Sequence, residues 1–299
     1  MKGCARSCLT SLLGWMVAIA LSFVGLVSFG VDAESAQGSS ILIGSLATLS
    51  ISFLWSARGV RRDQGLIRDA LAGVSPIDGK WAGFSGTIRS ATPLTSPLSA
   101  QRVVAFKYRV HERVGSGKSA YTVVHYEGTS LAAPTISTNL GAFRLLAVPE
   151  FNMEATDVEK SVAIRNFETY SATVRFESKA TSEERRQRIE AEWTDDDGVF
   201  GRDVKGADKV DLFACQFDEG IISQGEQVCL VGLYSQARGG IVPDANWAHQ
   251  TKVIRGNGEK AIEQLGRRAR RYTLFGIILG VVSVGVVFFA MDGASRFMG

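Results

Sequence analysis

TPLTSPLSAQRVVAFKYRV, residues Thr92–Val110, is the stretch on which the reading of this chain turns. Pro93 and Pro97 fix their own φ angles and push Thr92 and Ser96 out of the helical region. A bend follows, which the hydroxyls of Thr95, Ser96 and Ser99 can hold by bonding the local backbone. Val103, Val104, Phe106, Tyr108 and Val110 then form a β-branched and aromatic run, with Lys107 and Arg109 alternating outward at period two. A turn feeding a strand is expected here, inside a domain built mainly of strands.

The same pattern continues on both sides. Lys80–Ser90 alternates Trp81, Phe84 and Ile88 with glycines, as a bent or bulged strand does. Ser119–Glu127 can return against the strand Gln101–Val114 through a Gly115-Ser116-Gly117 turn, giving a hairpin. Further strands are expected at Ala142–Val148, Ser161–Arg165, Ala172–Glu177, Val210–Phe217 and Gln227–Leu233. One helix interrupts them: Thr181 and Glu184 make a capping-box pattern ahead of the charged segment Glu183–Glu192. Asp195-Asp196-Asp197-Gly198 invites a calcium reading, but Trp193 and Val204 stand where an EF-hand needs acids. It reads as a polar turn.

Apolar runs flank this domain in a chain of 299 residues that is 45% hydrophobic. Leu9–Phe29 and Tyr272–Met291 reach the ~20 residues of a membrane helix, and Ile41–Trp55 does so with Gly38–Ser40 and Ser56 counted. The expected fold is a multi-pass membrane protein with a β-rich (α+β) soluble domain flanked by transmembrane helices. The spans fall at about residues 9–31, 38–56 and 272–291, and the domain at about 80–255. Gly276, Gly280 and Ser283 make a small-residue ridge suited to packing on another membrane helix. A juxtamembrane helix is expected at each exit, Ala57–Gly73 with Gly73 as its cap, and Asn257–Arg271.

Arg58, Arg61, Arg62, Arg267, Arg268, Arg270 and Arg271 crowd those exits, where they can meet anionic lipid head groups or simply set topology. Counting basic residues near span ends places the large domain in the cytoplasm and the Asp32 loop outside. Leu9–Phe29 also has features of a secretory signal, with Val31-Asp32-Ala33 before a cleavage site, although it is longer than a signal core. The side of the domain is the same either way.

Little in the sequence points to catalysis. A net charge of only +3 does not imply nucleic-acid binding. No nucleophile elbow, phosphate-cradling loop or His-Glu-x-x-His pattern occurs. Cys4, Cys8, Cys215 and Cys229 and the scattered His111, His125 and His249 lack zinc spacing, so neither a metal nor a cofactor is expected. Cys215 and Cys229 read as buried free thiols in preference to a disulfide. His125, between Val124 and Tyr126, has no Cys or Asp motif to partner it. It reads as a strand histidine rather than a general base, and no catalytic residue is assigned.

The order "PLxSPxS, short gap, apolar strand carrying Tyr and Arg, then Val-x-Glu" resembles the signature of the GIDE-type domain, also called BAM (beside a membrane). Pro93, Leu94, Ser96, Pro97, Ser99, Val104, Tyr108, Arg109, Val110 and Glu112 carry the likeness. Ile222–Gly232, with Gly225-Glu226 ahead of Val228, resembles that domain's closing segment. The family comprises mitochondrial membrane-anchored E3 ubiquitin ligases and prokaryotic relatives. The resemblance implies a membrane-proximal binding, scaffold or stress-sensing module in a bacterial inner membrane, with lipid and a protein as partners. Pro93, Ser96, Pro97, Ser99, Tyr108 and Arg109 are its expected binding surface. The family's ligases carry a zinc-binding RING beyond the last span, whereas this sequence stops at Gly299. A non-catalytic chain is therefore expected, with a ligase-related or hydrolytic role as the alternative.

Overall fold

The structure is a computed structural model describing residues 33–117, 120–150, 154–178, 200–206, 210–244 and 250–297, with positions 19, 22, 24, 26 and 27. The expected first span, the capping-box helix at Glu183–Glu192 and the Asp195–Gly198 turn lie outside these residues, isolated positions of the span apart. The chain divides into two compact units, Met1–Gly65 with Ile262–Gly299, and Leu66–Ala261.

Among the described residues the helices are α1 (Ala33–Leu71), α2 (Lys160–Ser171) and α3 (Gly258–Phe297). The strands in chain order are β1 (Trp81–Arg89), β2 (Leu94–Thr95), β3 (Arg102–Val114), β4 (Tyr121–Leu131), β5 (Thr135–Thr138), β6 (Gly141–Leu145) and β7 (Glu154–Ala155). After α2 come β8 (Glu177–Ser178), β9 (Phe200–Lys205), β10 (Gln216–Ser223), β11 (Gln227–Ser235), β12 (Gly240–Val242) and β13 (Lys252–Arg255).

The second unit holds two sheets. One runs β1-β5-β6-β12-β11-β13, and a further pairing of β1 with β11 closes it on itself. Closure removes the free edges that open sheets expose. Phe84, Ile88, Ile136, Leu145, Leu230 and Ile241 fill its core. The other sheet runs β7-β10-β3-β4-β9-β8, with β2 beside β3. Its core joins Leu98, Phe106, Tyr108 and Val110 to Ala163, Ile164 and Phe167 of α2. β3 serves both cores: Val104 and Ala105 belong to the first, Val103, Phe106, Tyr108 and Val110 to the second. The strict alternation expected of it therefore gives way to burial on both faces over Val103–Phe106.

Several sequence expectations are corrected. Ser161–Arg165 is not a strand but part of α2, because Ala163, Ile164 and Phe167 recur at helical spacing and are buried together. Of Ala172–Glu177 only Glu177 is extended, in β8. In Val210–Phe217 a turn occupies the middle, with Ala214 N–H donating to Asp211 O, and the strand begins only at Gln216. The expected juxtamembrane helices are not separate elements. α1 and α3 each run unbroken through span and flank. α1 ends where expected: Gly73 has φ +75°, its N–H reaches Ala70 O at 3.2 Å, and Val74 N–H reaches Asp69 O at 2.9 Å. That bond pair is a Schellman cap, which needs the left-handed conformation glycine adopts freely.

Among the described residues of the helical unit, two helices are long and apolar enough to cross a membrane, over Ser40–Leu71 and Gly258–Phe288. Several of their hydroxyls bond helix carbonyls, the arrangement a hydrocarbon medium would favour. Ser45, Thr48, Ser52 and Ser56 each donate to the carbonyl four residues back. Ser50 Oγ donates to Gly276 O at 2.7 Å and Ser283 Oγ to Ile43 O at 3.3 Å, joining the helices. The small-residue ridge of the last span thus faces α1. A Cβ on Gly276 would lie 2.8 Å from Leu54 Cγ and 3.2 Å from Ser50 O. Gly276→Leu is expected to force the helices apart and cost roughly 1–3 kcal/mol. A fall in the thermal midpoint of the detergent-solubilised chain would report this, and an unchanged midpoint would refute the pairing.

Candidate functional site

The motif strand sits in the middle of its sheet, and one row of residues crosses four strands there. Glu219 of β10 pairs with Tyr108 of β3, Tyr108 with Gly128 of β4, and Gly128 with Asp203 of β9. Directly opposed residues share a sheet face. Gly128 has no side chain, so the Tyr108 ring can cross β4 and reach the next strand. Its hydroxyl donates to Asp203 Oδ1 at 2.6 Å. A Cβ on Gly128 would collide with both Asp203 Oδ1 and the Tyr108 ring. From α2, Tyr170 donates to both Asp203 oxygens at 3.0 Å. Tyr108 stands edge-on to Tyr170, with ring centroids 5.7 Å apart, and packs on Phe167 at the same separation.

The electrostatics follow from burial. Asp203 is 7% exposed, and desolvation holds its carboxyl above the usual range, more than the two tyrosine hydrogen bonds pull it down. Both phenols are pushed far up, first by burial and then by the Asp203 charge. An open recess of about 360 Å³ lies over this cluster, lined among others by Thr95, Ser130, Tyr170, Arg175, Glu177 and Asp203. Both Asp203 oxygens already accept hydrogen bonds. The carboxyl serves as a shared acceptor that joins β3, β9 and α2.

At the other end of the row, Glu219 anchors the proline-serine turn. Its Oε1 accepts Leu98 N–H at 2.9 Å and its Oε2 accepts Ser99 N–H at 3.2 Å. Within the turn, Ser96 and Ser99 hydroxyls lie 2.7 Å apart, and Gln101 N–H donates to Ser96 Oγ at 3.2 Å. Asn166 of α2 donates to Leu98 O from above. The expected binding residues are thus brought into one neighbourhood, but Ser96, Pro97 and Tyr108 are buried and Pro93 and Ser99 only half-exposed. Buried members offer a partner support, not contact atoms. Arg109 has a side chain 40% exposed and paired with Asp218 Oδ2 at 2.5 Å.

Comparison with protein-family models, curated proteins and solved structures finds no match. The chemistry of the remaining candidates therefore rests on geometry. His125 is the extra residue at a bulge, where the register slips between Val110 and His111 of β3. Its Nε2 lies 3.4 Å from Glu112 Oε2, and His111 Nδ1 lies 3.6 Å from Asp218 Oδ2. Cys215 is fully buried, and burial, reinforced by the Glu112 charge, pushes its thiol up. Such a thiol stays protonated and inert. Cys229 is likewise a buried free thiol. Among the described residues no group of three or more His, Cys, Asp or Glu is placed to hold a metal ion. The arginines expected at the lipid boundary, Arg58, Arg61, Arg62, Arg267, Arg268, Arg270 and Arg271, are all exposed and all in the helical unit.

Asp203, Glu219, Gly128 and Tyr170 were not singled out by the sequence. The signal for Asp203 was available in the alternation of Phe-Gly-Arg-Asp-Val-Lys, which is β9. Nothing local marks Gly128, whose importance comes from the strands on either side of it.

Proposed function

We propose that this chain is a membrane-anchored, non-catalytic module of the GIDE/BAM type, a strand-built domain tethered at both ends that binds a protein partner beside the bilayer. The observation that carries the reading is the helical unit: two long apolar helices, several of whose hydroxyls bond helix carbonyls and whose outward residues, such as Ile51, Val281 and Phe288, are exposed apolar groups. A face of that kind is costly in water and ordinary in lipid. The family reading is supported by Glu219, on the strand just before the closing segment, which takes two N–H groups of the proline-serine turn. The two stretches that carry the resemblance thus lie close together in the fold.

The resemblance to prokaryotic relatives supports a bacterial inner membrane, and the distribution of arginines around the spans supports a domain in the cytoplasm. Phe213, 72% exposed, offers a labelling position. With Cys4 and Cys8 replaced by serine, a Phe213→Cys chain should react with a membrane-impermeant thiol reagent only after spheroplasts are permeabilised. Labelling of intact spheroplasts overturns the orientation. Turnover of any substrate by the purified chain overturns the non-catalytic reading.

A further inference from the structure

The helical unit carries an open recess of about 550 Å³ against α1 and α3. Its floor is aromatic, with the Phe53 ring 6.0 Å from Tyr272 and 5.9 Å from Phe275. Its rim is basic, formed by Arg267, Arg268 and Arg271, with Gln264 beside them. Arg268 lies over the Tyr272 ring at 5.6 Å and donates through Nε to its hydroxyl at 3.0 Å. Among the described residues Arg267 pairs with Glu263, at 3.6 Å with both side chains exposed, a pair that water screens. Arg271 makes no ion pair among the described residues. One end of the recess thus has surplus positive charge and the other has none.

The depth of the recess is set by its neighbours. Trp and Tyr collect where hydrocarbon meets head groups. Trp55, 76% exposed, closes the apolar run of α1, and Tyr272 opens that of α3. The arginine rim then falls at head-group level, and Phe53 and Phe275 fall at the start of the acyl chains.

We propose that this recess binds an anionic phospholipid, its phosphate held by Arg267, Arg268 and Arg271 and its first acyl methylenes lying on Phe53 and Phe275. The inference rests on the reading of α1 and α3 as membrane spans. A free phosphate would leave the aromatic floor wet, and a zwitterionic lipid would bring a cation of its own to three guanidiniums. A lipid of net negative charge satisfies both ends. Guanidinium suits phosphate because its planar fork donates two parallel hydrogen bonds.

The test uses the full chain in detergent micelles, with bound lipid counted by native mass spectrometry during titration with phosphatidylglycerol or phosphatidylcholine. Wild type should favour phosphatidylglycerol at least tenfold. The triple variant Arg267→Gln/Arg268→Gln/Arg271→Gln should lose that preference, while Arg58→Gln/Arg62→Gln/Arg270→Gln, equal in charge but outside the recess, should keep it. Arg271→Gln alone should weaken binding several-fold with the thermal midpoint unchanged, since Arg271 holds no ion pair within the described chain. Equal loss in both triple variants, no preference in wild type, or displacement of lipid by millimolar inorganic phosphate would each overturn the site. Extraction with alkaline carbonate separates the premises. A chain that leaves the membrane overturns the spanning reading and this site with it; an integral chain indifferent to lipid charge overturns the site alone.

Discussion

Asp203→Ala is expected to destabilise the strand-built unit by about 3 kcal/mol, because it strips the buried Tyr108 hydroxyl and the half-buried Tyr170 hydroxyl of their common acceptor, at roughly 1–3 kcal/mol for the buried one and less for the other. Tyr108 is wholly buried and Tyr170 half-buried, so water offers Tyr108 no replacement. Part of the loss is offset, since the variant no longer has to bury a carboxylate that desolvation disfavours. Gly128→Ala should cost a similar roughly 1–3 kcal/mol or more without touching a charge, by displacing the Tyr108 ring and the Asp203 carboxylate together. Asp203→Asn keeps one acceptor oxygen and should fall between wild type and alanine. Denaturant titration of the full chain, followed through the near-ultraviolet signal of the tyrosines, measures all three. Alanine variants within about 0.5 kcal/mol of wild type would mean the row contributes no more than an ordinary surface position.

Alkali should unfold the same unit steeply. Tyr108 and Tyr170 ionise in the unfolded chain near the ordinary value of about 10, but burial and the Asp203 charge push both far above it in the fold. For a group whose folded pKa is raised, the stability it contributes is complete below the unfolded pKa and is lost as pH climbs above it. Each tyrosine adds a limiting slope of about 1.4 kcal/mol per pH unit, so the pair should remove about 2 kcal/mol between pH 10 and pH 11. Asp203 has the same sign at the acid end: its raised carboxyl makes stability fall as pH rises from about 4 through the folded value. Tyr108→Phe/Tyr170→Phe should flatten the alkaline limb relative to wild type. A double variant with an unchanged limb would place the alkaline sensitivity elsewhere.

The sequence made the hairpin of β3 and β4 legible because its signals are local: alternation, β-branching and a Gly-Ser-Gly turn. The long apolar helices and the Gly73 cap were legible for the same reason. α2 was misread because its apolar residues, Ala163, Ile164 and Phe167, are few enough to pass for a short strand until Tyr170 extends the helical period. The short strands β5, β12 and β13 carry too few residues to show a period, and they exist because a closed sheet supplies them with neighbours. The turn at Thr92–Ser99 is legible as a turn, but which of its residues face a core is not. Proline and serine mark a bend without telling which side of it faces a core. Here Leu98 is fully buried and Glu219, more than a hundred residues later, occupies the inner face. The polar row is the extreme case, assembled from four strands that no window of sequence spans.

The helical unit is discontinuous, Met1–Gly65 on one side and Ile262–Gly299 on the other, with all of Leu66–Ala261 inserted between. During synthesis α1 is therefore made without the helix it packs on. At roughly 5–20 residues per second the ribosome needs on the order of 10–40 s to deliver the inserted residues. Throughout that interval Ser50 has no Gly276 carbonyl to bond, and the groove that will receive the glycines stands empty. Helix pairing is thus a late event in the birth of this protein, and a ribosome stalled before Gly276 would release an α1 whose apolar face toward α3 has no partner within its own chain.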